Sequence, residues 1–162
     1  MIRHTALVIT FAISTSLAGC AKKPSCPAGA YENKDPAFCL PLPAGYKADA
    51  PQGGGTSGMS MRVSGGAENG FAGFSVYWGD NDTKTLEERA KVIDNMAGDS
   101  LKLLDKGDLP KGKWWRFRTG SENIFGEVLV KSAKGLIRCE IQNTPEAAAQ
   151  TLLDACKGLR TE

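Results

Sequence analysis

The chain has 162 residues, of which 41% are hydrophobic and 23% are charged. These values are those of an ordinary globular protein, and the length favours one domain. The 20 basic and 18 acidic side chains nearly cancel, which argues against nucleic-acid binding, because the neutralisation of many phosphates requires a clear basic excess. Nucleic acid is therefore not among the expected partners.

The first 19 residues have the pattern of a secretory signal peptide. Arg3 and His4 form a short polar start, and the run from Thr5 to Gly19 carries no charge. This run is too short to cross a bilayer as a helix, which takes about 20 apolar residues, and it ends in small residues. His4 is the only histidine, so its removal with the signal leaves no imidazole for general base catalysis or metal binding.

The apolar run closes as Leu17-Ala18-Gly19-Cys20, which resembles the lipobox of bacterial lipoproteins. The resemblance implies cleavage just before Cys20, a diacylglyceryl group on its thiol and an acylated, palmitate-bearing N-terminus. Cys20 would then anchor the chain, since several acyl chains hold a protein firmly where one gives only marginal binding. Ala21 at the next position implies outer-membrane placement facing the periplasm, because Asp there favours inner-membrane retention in many of these lipoproteins. The alternative is a plain signal peptide with a coincidental cysteine.

This interpretation divides the chain into a signal peptide over residues 1–19, a lipidated tether over 20–25 and a single domain over 26–162. The tether spans at most about 3.5 Å per residue, so we expect the domain to lie close to the membrane surface. Lys22 and Lys23 in the tether either contact anionic headgroups or act as a solubilising spacer.

The first half of the predicted domain contains short strands separated by glycine-rich loops. Residues 38–43 predict a short edge strand, since proline is tolerated at sheet edges. Residues 48–58, with three consecutive glycines, predict a long mobile loop. This loop lacks the Gly-Lys-Ser/Thr ending of a phosphate-binding loop. Alternating apolar residues over 59–64 and a second strand-like run over 71–78 predict a hairpin.

The second half of the domain predicts a helix, a run of strands and a final helix. Thr85 and Glu88 have the spacing of a capping box, and an apolar stripe predicts a helix over 85–97. The last helix is predicted to start with Thr144 as its N-cap and Pro145 in its first turn. Between the helices, an antiparallel meander is indicated by four strand-like runs, over 101–105, 113–119, 124–131 and 136–142.

Four cysteines remain once Cys20 is lipidated, and an even number in an exported chain points to disulfides. Of three connectivities, local geometry favours Cys26 with Cys39 and Cys139 with Cys156. Cys139 is expected to point into the core from a strand, and Cys156 lies on the apolar face of the last helix. The competing metal site lacks a CxxC pair and a mature histidine, so we expect no metal and no cofactor.

These elements predict an α+β fold in which an antiparallel sheet of about six to seven strands carries two main helices and is stapled by two disulfides. The element order is similar to that of the MOG1/PsbP-like α/β sandwich found in some small bacterial lipoproteins. Two segments add to the resemblance: Leu40 to Tyr46, and the end of the last helix from Cys156 to Arg160. The resemblance implies this fold over most of the mature chain. It implies no activity, because the fold carries no catalytic motif and its members bind varied partners.

The strand predicted around residue 115 separates aromatic and basic side chains onto two faces. Alternation places Trp115 and Phe117 on one face, and Trp114, Arg116 and Arg118 on the other, which we expect to be exposed. A Trp beside two arginines can stack on sugar rings or peptide side chains and pair with carboxylates or phosphates. Our candidate partner-binding face therefore consists of Trp114, Arg116 and Arg118.

An alternative for the same strand is an ordinary solvated sheet face. In that interpretation, Glu127 and Glu140 balance Arg116, Arg118 and Arg138, and the charges have no partner outside the protein. Mixed charges are common on such faces, which favours this interpretation over a partner-binding role.

The mature sequence contains no recognisable catalytic motif. No serine lies in a Gly-x-Ser-x-Gly elbow, and no mature histidine could activate one. Asp80 and Asp82 lie close together, but a calcium site would need more carboxylates. We therefore predict a non-enzymatic envelope lipoprotein that binds or scaffolds an envelope protein or cell-wall component. Two alternatives are an inhibitor or immunity-type protein that blocks an envelope-directed enzyme, and an accessory enzyme that uses carboxylates alone.

Overall fold

The computed structural model describes four stretches of the chain: residues 26–53, 58–65, 72–79 and 84–161. The predicted signal peptide, Cys20 and the tether lie outside these residues, as do the tip of the predicted hairpin and the acidic pair Asp80 and Asp82. Neither helix of the described stretches combines the length and the apolar content of a membrane-crossing segment.

The described residues form eleven strands and two helices: β1 (Tyr31–Lys34), β2 (Ala37–Leu40), β3 (Tyr46–Ala48), β4 (Gln52–Gly53), β5 (Met59–Gly65), β6 (Gly73–Trp78), α1 (Leu86–Asp94), β7 (Leu101–Leu109), β8 (Gly112–Thr119), β9 (Ile124–Ser132), β10 (Gly135–Thr144), α2 (Glu146–Lys157) and β11 (Arg160–Thr161). An eight-stranded main sheet has the order β3-β5-β6-β10-β9-β8-β7, with β4 also paired to β5. A smaller sheet has the order β1-β2-β11.

The predicted α+β fold is confirmed, since the two helices accompany antiparallel sheets. The predicted hairpin corresponds to β5 and β6, and the predicted meander to β7, β8, β9 and β10. The hairpin and the meander join through β6 and β10, where Val76 lies opposite Cys139. This long-range pairing makes one continuous main sheet.

Different elements cover the two faces of the main sheet. The smaller sheet and α2 pack on one face, called here the α2 face, where Leu40 of β2 and Leu152 of α2 belong to one buried cluster. Helix α1 packs on the opposite α1 face, where Ile93 meets Trp115 and Phe117 in a second cluster. Burial of each large apolar side chain stabilises the fold by about 1.5–3 kcal/mol.

Both predicted disulfides are present. Cys26–Cys39 ties the start of the described chain to β2 with a Cα–Cα distance of 5.4 Å. Cys139–Cys156 ties β10 to α2 with a Cα–Cα distance of 5.7 Å. Both sulfurs of the second bridge belong to fully buried residues. It therefore fixes α2 on the sheet from within the core.

The segment predicted as an edge strand is instead the central strand of the smaller sheet. β2 pairs with β1 on one side and with β11 on the other, and it ends before Pro41, which has no backbone N–H. Local pattern could not reveal β11, because that strand comes from the far end of the chain. The predicted loop over 48–58 is also partly ordered, since residues 52–53 form β4 against β5. Residues 54–57 lie outside the described part.

Helix α1 has the predicted start but ends earlier than predicted. Thr85 Oγ1 accepts a hydrogen bond from the Glu88 N–H (3.2 Å), and the Glu88 carboxylate accepts one from the Thr85 N–H (2.7 Å), which confirms the capping box. The helix ends at Asp94 rather than at residue 97. The chain turns there into β7, and Gly98 already forms a bridge with Leu101.

The predicted N-cap of α2 is corrected by one residue. Thr144 still belongs to β10, and its hydroxyl donates to the carbonyl of Gln142 (3.1 Å). Pro145 is the N-cap and provides no side-chain hydrogen bond. The register between β10 and β9 shifts between Ile141 and Thr144, and Thr144 then pairs with Ile124. This pairing takes precedence over the capping preference of threonine.

We expect the double substitution Cys139→Ala and Cys156→Ala to lower the free energy of unfolding by about 2–5 kcal/mol, because it releases a restraint on the unfolded chain. Urea denaturation under non-reducing conditions measures the change. The matched control removes Cys26 and Cys39, which are only half-buried, and should cost less. An unchanged midpoint for the Cys139 and Cys156 variant would contradict a buried bridge between β10 and α2.

Candidate functional site

The candidate partner-binding residues of β8 lie beside α2 on the α2 face. An Arg118 Nη donates to Glu146 Oε2 at 2.9 Å, and an Arg116 Nη donates to Gln150 Oε1 at 3.2 Å. Glu122 adds a second carboxylate 3.6 Å from Arg118 Nε. We call this row of contacts between β8 and α2 the α2 seam.

Trp114 completes the α2 seam and is enclosed by two neighbours. The ammonium of Lys157 lies 3.4 Å from the centre of the indole ring, a cation–π contact. On the neighbouring strand Trp114 lies opposite Gly107, where a Cβ atom would be only 2.8 Å from the indole Nε1. Glycine at 107 therefore leaves the space that the indole occupies.

The α2 seam changes what was predicted for this surface. Trp114, Arg116 and Arg118 share one face as expected, but they are half-buried and engaged by α2 rather than lying on an open sheet face. Their role in partner binding stays a prediction. The polar contacts of the α2 seam remain open to solvent. Such contacts add little stability, typically below about 1 kcal/mol each.

The alternative arrangement of charges holds for Arg138, whose Nε lies 3.7 Å from Glu140 Oε2, but not for Arg116 and Arg118 of β8. The strand register places Glu127 opposite Trp115, and Glu140 opposite Glu127. Directly opposed residues share a face, so both carboxylates lie on the α1 face. They cannot balance Arg116 and Arg118, which point to the α2 face.

Glu127 is a buried carboxylate close to α1. The residue is only 2% exposed, and Arg89 of α1 approaches it with 3.8 Å between Nε and Oε1. Within the described part of the chain, Oε1 accepts no hydrogen bond. A buried oxygen without a donor is costly for the ionised form.

The surroundings of Glu127 contain further charges from β10 and an aromatic ring from β6. Arg138 Nε lies 3.7 Å from Glu140 Oε2, and the guanidinium lies 4.4 Å from the centre of the Tyr77 ring. The Gln142 amide donates to the other oxygen of Glu140. The resulting charge network comprises Arg89, Glu127, Arg138 and Glu140, and it borders Tyr77 of β6.

Burial raises the pKa of the Glu127 carboxyl above its usual range. The guanidinium groups of Arg138 and Arg89 oppose this rise, while the negative charge of Glu140 adds to it. Desolvation is the largest cause, as expected for a carboxylate removed from water. Ionised Glu127 is therefore a source of instability in the folded protein.

Beyond the charge network, the α1 face of β4, β5 and β6 carries polar side chains. On β5, Met61 and Val63 are buried on the α2 face, while the residues between them and beside them point the other way. The register places Ser60 opposite Tyr77 and Gln52, and Arg62 opposite Ser75. We call these five residues the polar patch: Gln52, Ser60, Arg62, Ser75 and Tyr77.

The side chains of the polar patch form no hydrogen bond or ion pair within the described residues, apart from the ring contact of Tyr77 with Arg138. Two shallow hollows lie on either side of Arg62. One has a volume of about 190 Å³ and includes Asp49, and the other has about 240 Å³ and includes Glu140 and Gln142. Arg62 and Ser75 line both hollows, so the guanidinium can be reached from either side.

The residues of the polar patch are absent from the predicted site residues. The signal that could have identified them is the alternation in β5 and β6, whose buried residues are separated by Ser60, Arg62, Ser75 and Tyr77. Alternation shows that these side chains point away from the core, but only the strand register shows that they meet. Among the described residues, no group of three or more His, Cys, Asp or Glu side chains could hold a metal ion.

Comparison with known proteins relates this structure to one known fold. No protein-family model matches the chain, and no curated protein matches it in sequence. Among solved structures, the solution structure of cyanobacterial PsbP (CyanoP) from Synechocystis sp. PCC 6803 is similar, with a TM-score of 0.55 and 14% identity. The similarity covers 85% of this chain and 98% of that chain. At this identity it shows the fold alone, and the PsbP-like part of the predicted resemblance is confirmed as a fold.

We expect Glu127→Gln to raise the free energy of unfolding at pH 7, because glutamine resembles the protonated carboxyl that the buried site favours. A carboxyl whose folded pKa is raised loses stability as pH rises from its unfolded value through its folded value. The advantage of the variant should therefore shrink as pH falls toward about 4.5. Urea denaturation of both proteins between pH 4 and pH 7 measures it.

Glu87→Gln is the matched control for this prediction. The hydrogen bond from Lys131 lowers the pKa of the exposed Glu87 carboxyl, so this substitution should not stabilise the protein at pH 7. Equal stabilisation by both substitutions would show a general charge effect and contradict the role of burial at Glu127.

Proposed function

We propose that this protein is a lipid-anchored, non-enzymatic binding module of the bacterial cell envelope. In this proposal Cys20 carries the anchor in the outer membrane, and the domain faces the periplasm. The main sheet presents the polar patch to an envelope protein or cell-wall partner. The single observation that carries the binding role is this group of exposed and half-buried polar side chains on the α1 face, which have no hydrogen-bond partner among the described residues.

The disulfides support an extracytoplasmic location. Bridges of this kind form and persist in oxidising compartments such as the bacterial periplasm. The bridge between Cys139 and Cys156 lies in the core, where it stabilises the fold in its oxidised form. The lipobox resemblance at Cys20 adds the anchor to this proposal.

The burial of the Glu127 carboxylate fits a non-enzymatic role better than it fits an accessory enzyme. Among the described residues, Glu127 is a carboxyl whose pKa burial raises, as a general acid requires. At 2% exposure it is out of reach of a substrate. A PsbP-like fold is compatible with a binding role, but a shared fold does not assign one.

Trp114, Arg116 and Arg118 are retained as a second contact surface in this proposal. The side chain of Arg118 is 34% exposed, and the other two are half-buried. A partner would reach them only along the outer edge of the α2 seam, so the polar patch is the primary surface.

Cys20→Ser tests the anchor. The substitution removes the thiol that would receive the lipid, so we expect the protein to leave the membrane fraction or to remain uncleaved, as detected by immunoblotting of fractionated cells. Cys26→Ser is the control, and should alter the first disulfide without releasing the protein. Unchanged fractionation of the Cys20 variant would refute the lipid anchor.

Photo-crosslinking in intact cells tests the binding surface. A crosslinking amino acid at Ser60, in the polar patch, should capture an envelope component that mass spectrometry can identify. The same group at Gln150 samples the α2 seam, and at Lys102 it samples the exposed β7 surface as a control. Capture from Gln150 alone would transfer the site to the seam, and a lack of product from both positions would contradict the proposal. A captured enzyme that the purified protein inhibits would favour the inhibitor alternative.

A further inference from the structure

The polar patch contains one unpaired cation in a setting of hydroxyl and amide groups. Arg62 is exposed and has no ion partner within the described stretches, unlike Arg118, which has two carboxylates. Ser75 lies directly across from Arg62, and Ser60 and Tyr77 form the next opposed pair along the same two strands. A guanidinium flanked by hydroxyl donors is suited to binding a carboxylate, which accepts paired N–H bonds in one plane.

Resting on the binding role proposed above, we infer that the polar patch binds an extended peptide segment of a partner protein through one carboxylate side chain on Arg62. The two hollows beside Arg62 then receive the flanking residues of the peptide. The patch and its two hollows extend across the sheet from β4 through β5 and β6 to β10. This distance is three strand spacings, or about 14 Å, which corresponds to about four residues of extended chain. The hollows thus match a short linear segment.

The remaining charges of the surface favour a peptide over an anionic membrane. Asp49 lines the hollow on one side of Arg62, and Glu140 lines the other. A surface of lipid phosphates would be repelled by both carboxylates, whereas a peptide can place a single acid between uncharged or basic neighbours. Charge complementarity therefore specifies an acidic residue flanked by Lys, Arg or small polar residues.

The binding test uses NMR titration of the full lipidated protein in detergent micelles. The probe is the capped peptide acetyl-Lys-Ser-Glu-Ser-Lys-amide, and its control has Gln in place of Glu. We expect saturable shifts of backbone amides over 60–62 and 73–77 with the Glu peptide. The Gln peptide should bind about three- to fivefold more weakly, because a charge pair with the exposed Arg62 is lost.

Matched protein variants assign the effect to Arg62. Arg62→Gln should weaken binding of the Glu peptide about three- to fivefold. Arg160→Gln removes an exposed arginine of the smaller sheet and should leave the affinity unchanged. Equal loss in both variants, or no loss in either, would overturn the inference.

Two phosphate compounds test whether the patch prefers a phosphate group to a peptide carboxylate. Inorganic phosphate and glycerol 3-phosphate should bind more weakly than the Glu peptide at the same amides. Tighter binding of either phosphate, or no shift with the Glu peptide, would overturn the peptide carboxylate as the ligand. Capture of a partner in cells without dependence on Arg62 would leave the proposed binding function intact and refute only this inference.

Discussion

The two-residue period of β10 is the constraint on which the rest of the structure depends. Ile137, Cys139 and Ile141 point to the α2 face and are buried, while Arg138 and Glu140 point to the α1 face. A shift of the register by one residue would exchange these sets and place charges in the main core. β10 pairs with β9 and β6, so its alternation also fixes the faces of both neighbours.

The arrangement of the α2 face follows from the buried apolar set of β10. Cys139 reaches Cys156 of α2, and the apolar side of α2 then covers β9 and β10. The polar side of the same helix meets β8, where Glu146 and Gln150 bind the two arginines of the α2 seam. Helix α2, which the buried disulfide holds in place, thus contacts the arginine side chains that the sequence predicted to bind an outside partner. Their contact with α2 explains why exposure could not be inferred from alternation alone.

The arrangement of the α1 face follows from the charged set of β10, which points away from the main core. Helix α1 buries Trp115 and Phe117 of β8, and the charge network around Glu127 lies between this apolar cluster and the polar patch. Buried charges of this kind add little net stability compared with apolar packing. The raised pKa of Glu127 indicates the same cost. The arrangement is understandable if this side of the sheet is kept polar for contact with another molecule, as proposed for Arg62 and its neighbours.

The sequence by itself determined the properties that depend on local order. Alternation and capping residues gave the hairpin, the meander and the start of α1 at Thr85, and the positions of Cys139 and Cys156 on apolar faces gave their bridge. Tertiary structure decided whatever depends on distant segments: the pairing of β2 with β11, the termination of α1 at Asp94, and the face shared by Glu127 and Trp115. The polar patch belongs to this second group. Its residues come from three strands, and alternation gives each side chain a direction, whereas only the hydrogen-bonded register gives it neighbours.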